Sequence, residues 1–105
     1  MKIAIAVRPS GDLYVVEPVF GRADMFILVD RDSGDRTVTA NPHRDEPEAA
    51  GKKTADWLVR QGVKAVLCGD VGPKTRLILG EAGVFAGVGY DGTVDDALAR
   101  YLSSL

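Results

Sequence analysis

The sequence predicts an α/β fold in the order βββαβαβα. Three observations carry that expectation. Residues 2–7 read KIAIAV, a continuous apolar run rich in branched side chains, as in a strand buried on both faces. Residues 25–30 (MFILVD) and 36–40 (RTVTA) flank Asp32-Ser33-Gly34-Asp35 like the two arms of a hairpin. From Val63 onward short apolar runs alternate with helical patterns, which implies parallel pairing and helices laid over a sheet.

Each element has its own local reason. After the first strand, residues 8–20 read as a long loop opened by Arg-Pro-Ser-Gly-Asp, with a short extended piece at 14–16. MFILVD is the second strand and RTVTA, with clean alternation, the third. Asn41-Pro42-His43 stops it, and the acidic residues up to Glu48 are solvated loop. A helix is expected over 47–61, because Ala50, Thr54, Trp57, Leu58 and Gln61 share one stripe and Gly62 lies where a glycine cap belongs. VKAVLC, 63–68, is the fourth strand. Gly69-Asp70-Val71-Gly72 is a tight loop, and Pro73 suits the first position of a helix running to Ala82. Gly83 ends that helix before a short fifth strand at 84–88. In the last helix Thr93 and Asp96 have the capping-box form, and Val94, Ala97, Leu98, Tyr101, Leu102 and Leu105 make an apolar stripe. Trp57, Leu58, Leu98, Tyr101 and Leu102 are expected to bury against the sheet.

No linker or repeat interrupts the pattern, so residues 1–105 form one domain, long enough for a single core. The chain is 46% apolar and 27% charged, an ordinary globular balance. Its net charge of −2, from 13 Lys and Arg against 15 Asp and Glu, comes without a basic block and argues against nucleic-acid binding. No apolar run approaches the roughly 20 residues that span a bilayer, and MKIAIAV lacks the form of a signal sequence, so a cytoplasmic protein is expected. One cysteine, Cys68, and one histidine, His43, exclude an internal disulfide and a Cys/His zinc cage.

In open α/β sheets, ligands bind beyond the carboxyl ends of strands where the strand order reverses. If the first and fourth strands are neighbours, that edge gathers Arg8, Pro9 and Ser10 with Cys68, Gly69 and Asp70. The helix after Gly72 adds free N–H groups and its positive end, with Lys74 beside them, and an anion is the natural guest. GDVGPKT equally suits a plain strand-to-helix turn. It does not match a phosphate-binding P-loop, which needs four residues between its glycines and a lysine directly after the second. A metal-dependent nuclease would need a carboxylate on the first strand, and KIAIAV has none. His43 in NPHRDE reads as a solvated loop residue or a ligand; Cys68 reads as a small core residue or a ligand.

VFGRAD, 19–24, adds context. Together with MKIAIAV, MFILVD, the NPH after the hairpin, AAGKKTADWLVRQGVKAVLCGDVGP and the terminal GTVDDAL, it resembles the dinitrogenase iron–molybdenum cofactor biosynthesis family over essentially the whole chain. That family includes NifX and NafY, the C-terminal part of NifB, and the orange protein with its molybdenum–copper sulfide cluster. The resemblance implies a ribonuclease-H-like three-layer sandwich on a five-stranded mixed sheet of order 3-2-1-4-5. It also implies a non-enzyme that binds or carries metal–sulfur cofactors. The family loop commonly reads His-Phe-Gly-Arg, its histidine a candidate cluster ligand; here that position is Val19, and valine cannot ligate a metal. Phe20, Gly21 and Arg22 match. Phe20 is expected to anchor the loop, Gly21 to allow close backbone approach, and Arg22 either to face the crevice as a fixed charge or to pair with Asp24.

The expected guest is an anionic iron–molybdenum, molybdenum–sulfur or iron–sulfur cluster at Arg8, Ser10, Phe20, Gly21, Arg22, His43, Cys68, Gly69, Gly72 and Lys74, with His43 and Cys68 the candidate metal ligands. Expected partners are cofactor-assembly or acceptor proteins, with no nucleic acid and no membrane. The alternative is a small-anion-binding or protein-interaction module on the same fold without cluster chemistry.

Overall fold

A computed structural model describes residues 1–105. Along the chain lie β1 (Lys2–Ser10), β2 (Leu13–Val16), a 3-10 turn (Phe20–Arg22), β3 (Met25–Asp30), β4 (Arg36–Ala40), α1 (Ala50–Arg60), β5 (Val63–Leu67), α2 (Pro73–Glu81), β6 (Phe85–Gly87) and α3 (Val94–Ser103). The sheet runs β4-β3-β1-β5-β6, with β2 off this path and paired to β1. Ile5 stands opposite Ile27 of antiparallel β3 and Leu67 of parallel β5.

The expected five strands are corrected to six. β1 continues three residues past Val7, turns at Gly11 (φ +60°), and returns as β2 in register from Val7↔Val16 to Ser10↔Leu13. Pro9 lacks an N–H yet is tolerated, because this arm extends beyond β5, whose pairing with β1 ends at Ile5. α1 starts at Ala50, three residues later than its pattern suggested.

KIAIAV explains the layering. Ile3, Ile5 and Val7 face one side and pack with Ile27, Val29, Leu67 and the α3 residues Val94, Ala97, Leu98 and Tyr101. Ala4 and Ala6 face the other side, where their small size admits Phe20 and Phe26 beside Ala55 and Leu58 of α1 and Leu79 of α2. Phe26 lies 5.8 Å from Phe20 and 6.0 Å from Trp57 between ring centroids, which adds aromatic contact to area burial. Leu58, Leu98 and Tyr101 are buried as expected, whereas Trp57 and Leu102 are only partly so. The α1 stripe centres on Thr54, Ala55 and Leu58. Each fully buried Ile or Leu contributes about 1.5–3 kcal/mol relative to exposure. No helix is long and apolar enough to cross a membrane.

Candidate functional site

The space beyond β5 is filled by the chain itself. Glu17 N–H donates to Ala6 O (2.8 Å), Gly69 N–H to Glu17 O (3.0 Å) and Phe20 N–H to Asp70 O (3.0 Å), and Val19 bridges Asp70 in parallel. Residues 17–20 thus lie along 68–70 where an open crevice was expected. The contact demands glycine: a Cβ on Gly69 would stand 2.5 Å from Pro18 O. Close approach had been expected at Gly21, but a Cβ there would meet nothing.

Cys68 sits behind this seam, fully buried, its thiol donating to Glu17 O at 3.0 Å. Burial pushes the thiol up to about 11, so it stays protonated at neutral pH and offers no thiolate. His43 is half-buried in the loop after β4, its Nδ1 3.5 Å from Glu46 Oε1. Lys53, and after it His43, hold the Glu46 carboxyl below the usual range by hydrogen bonding. No group of three His, Cys, Asp or Glu side chains converges to hold a metal ion. As a covalent ligand set, these residues do not fit a metal–sulfur cluster; as charges and hydrogen-bond donors, others do.

Those others surround the 3-10 turn. Phe20 is buried and anchors it, leaving Gly21 and Arg22 exposed. Arg22 makes no ion pair, and Asp24 is not its partner. Asn41, which the sequence reading passed over, fixes the surroundings. It is 2% exposed, and its amide donates to Ala23 O (2.9 Å) and Thr54 Oγ1 (3.0 Å), while its N–H donates to Asp24 O (2.8 Å). The Arg22 loop, the His43 loop and α1 are thereby tied together. The available signal was an asparagine directly after a strand, in a position to bond neighbouring backbone.

Two helix starts complete this edge. α1 begins after Ala49 (φ 57°) and α2 after Gly72; neither has a side-chain cap or an acid in its first turn. The N–H groups of Ala50, Gly51, Lys52, Lys74 and Thr75 have no acceptor. The starts touch: a Cβ on Gly51 would lie 3.0 Å from Thr75 Oγ1. Lys74 is exposed and unpaired, whereas Arg76 folds back on Val71 O (2.9 Å) and toward Asp70 (3.4 Å). Arg8 and Ser10 are exposed on the β1–β2 arm, on the Ala4 and Ala6 side by strand alternation. Of the expected residues, Phe20, Gly21, Arg22, Gly72, Lys74 and the His43 loop share this edge; Arg8 and Ser10 stand on the arm, and Cys68 and Gly69 lie in the closed seam.

Open cavities of about 180, 130 and 230 Å³ lie elsewhere, and none is lined by an expected site residue. The first has Asp12 and the ion pair Arg36–Asp95 (2.7 Å) on its wall, so its one cation is already paired. The unsatisfied donors are at the helix starts.

Comparison with known proteins agrees with this architecture. The apo orange protein from Desulfovibrio gigas superposes with a TM-score of 0.89 at 32% identity, covering 98% of this chain and 88% of that one. A proposed NifB protein from Thermotoga, solved by NMR, gives 0.80 at 28% identity, covering 97% and 87%. An uncharacterised protein of Methanocaldococcus jannaschii is 24% identical over 105 residues, 97% of this chain and 86% of its own. A family model described as dinitrogenase iron-molybdenum cofactor matches residues 1–104, and the chain belongs to that family.

Proposed function

We propose that this protein is a non-catalytic carrier or accessory protein that holds an anionic metal–sulfur cargo by charge and hydrogen bonds. The cargo class is an iron–molybdenum, molybdenum–sulfur or iron–sulfur species, passed between cofactor-assembly and acceptor proteins. The observation that carries the reading is Arg22: exposed, without an ion pair, and presented by buried Phe20 beside two uncapped helix starts. Family membership supplies the cargo class. Arg22 and Lys74 are the charges; Gly72 leaves the α2 start open; Gly21 keeps the turn free of side chains; His43 borders the edge from its loop. Arg8 and Ser10 form an outer rim, and Cys68 with Gly69 supports the loop from behind. Val19 and the protonated Cys68 favour an electrostatic hold over ligation.

Titrating tetrathiomolybdate into wild type, Arg22→Ala and Lys74→Ala at two salt concentrations tests this. Each substitution should weaken binding by about 1–3 kcal/mol and more visibly at low salt. Equal affinities in all three proteins would overturn the reading. The lack of any three-ligand cluster favours a second reading, a small-anion or protein-interaction module without cluster chemistry. An ultraviolet–visible spectrum with metal analysis, on protein purified anaerobically from its source, separates the two.

A further inference from the structure

A cavity of about 130 Å³ on the α3 face, between that helix and the turn joining β3 to β4, joins an apolar floor to an unanswered charge. Ile3, Val29, Leu98 and Leu102 make the floor, the first three of them buried. The turn makes the rim, with Asp30, Arg31, Gly34 and Arg36. Arg31 N–H donates to Met1 O (2.9 Å), which carries the ladder one residue beyond β3. Strand alternation then keeps the Arg31 side chain on the face of Val29. Arg36 is already paired with Asp95 (2.7 Å), whereas Arg31 has no ion pair. Asp30 does not supply one. Alternation turns its side chain to the other face, and its Oδ1 accepts from the N–H groups of Asp32 (2.9 Å) and Ser33 (3.3 Å).

We propose that this cavity binds a small monocarboxylate with a branched aliphatic tail, the tail on the apolar floor and the carboxylate on Arg31. Three properties select that class. The floor offers water no polar side chain, so it favours carbon. An apolar cavity of about 150 Å³ is enough for benzene, so this one takes a branch of about four carbons. The single unpaired guanidinium answers one negative charge, and its planar fork matches a carboxylate in two parallel hydrogen bonds. A second negative charge would find Arg36 already taken. The site lies across the sheet from the proposed cargo edge and does not rest on it.

Methyl shifts of isotope-labelled protein test this, with sodium isovalerate titrated against sodium chloride at equal ionic strength. Saturable shifts are expected at Ile3, Val29, Leu98 and Leu102. Acetate, which lacks most of the tail, should bind at least tenfold more weakly. Isovaleramide, the neutral isostere, should bind about five- to tenfold more weakly. Arg31→Gln should lower the affinity for isovalerate to that for the amide, and leave the melting temperature unchanged because the side chain is exposed. Leu102→Phe, which enlarges a partly buried side chain of the floor, should weaken both guests. The proposal falls if shifts do not saturate, if chloride reproduces them, or if acetate binds as tightly as isovalerate. It falls equally if Arg31→Gln still prefers the acid to the amide, or if Leu102→Phe binds both as wild type does. Because Arg22→Ala should leave isovalerate binding intact while weakening tetrathiomolybdate binding, the two readings fail separately.

Discussion

The two faces of the sheet finish their helices in opposite ways. On one face, α3 begins with Thr93 accepting from Asp96 N–H at 3.1 Å, has Asp95 and Asp96 in its first turn, and carries Arg100 near its end over the Tyr90 ring (4.4 Å). Arg36 pairs with Asp95 across the layer. Every feature complements the helix dipole. On the other face, α1 and α2 begin without caps or acids, beside the unpaired cations Arg22, Lys52 and Lys74. The same chain that caps α3 leaves α1 and α2 open. Unsatisfied donors kept at one edge, when capping is available elsewhere, are the contrast on which the proposed cargo edge rests.

That contrast concerns helix ends, and it requires the two cores to be equally sound. Ile5 and Leu58 are both fully buried, one on each face. Ile5→Ala and Leu58→Ala should each cost about 2–5 kcal/mol in urea unfolding. If Leu58→Ala costs less than 1 kcal/mol, the α1 face is loosely packed, and its open helix starts reflect weak packing.

Each face also buries a weak acid whose proton burial holds more tightly. Cys68 has a folded value of about 11 against an ordinary 9.0, so its contribution to stability is fully present below pH 9 and is lost as pH rises toward 11. The unfolded chain releases that proton first, so the loss is on the order of a few kcal/mol. Burial raises Tyr101 on the α3 face in the same sense. Urea stability followed from pH 8 to 11 should fall in wild type. Cys68→Ala should flatten the lower part of that fall, and Tyr101→Phe only the part above about pH 10. An unchanged slope in Cys68→Ala would mean that the thiol is solvated and the seam between residues 17–20 and 68–70 is open.

Much of this architecture was legible because it is local. The Ile and Ala alternation of KIAIAV sorts bulk to one face and room to the other, and Thr93 with Asp96 announces α3. β2 reads from the sequence only as a short extended piece at 14–16 inside a loop, because Leu13–Val16 is short and follows Pro9, Gly11 and Asp12, whose turn chemistry outweighs four extended residues. The site was less legible, because its geometry depends on distant segments meeting. Nothing in NPH reveals that Asn41 will bond Ala23 and Thr54. Nothing in GDVG reveals that Gly69 will lie against Pro18 and close the crevice. Arg22 could be singled out from VFGRAD, but whether Asp24 would neutralise it was a question of tertiary placement.

Removing the α3 cap is the next smaller perturbation. Thr93→Ala should lower stability by about 1 kcal/mol, since it strips an acceptor from the Asp96 N–H. A loss below 0.3 kcal/mol would mean that Asp95 and Asp96 suffice and that capping is not what separates the faces.

The smallest stability change is the most informative. Gly72 precedes α2 with φ −60° and ψ 154°, a backbone any residue can adopt, and a Cβ there meets nothing within 4 Å. Gly72→Asp would therefore supply the missing cap without strain, its carboxylate accepting from the first-turn N–H groups. Melting should show a gain of a few tenths to about 1 kcal/mol. Anion binding should move the other way, weakened by about 1–2 kcal/mol, because the carboxylate both occupies the donors and repels the guest. One substitution would then raise stability and lower affinity, as expected where an open helix start is kept for a ligand at some expense of stability. A Gly72→Asp protein that is more stable and still binds tetrathiomolybdate as wild type does would show that the open start of α2 is incidental, and that the difference between the faces has no bearing on what this protein binds.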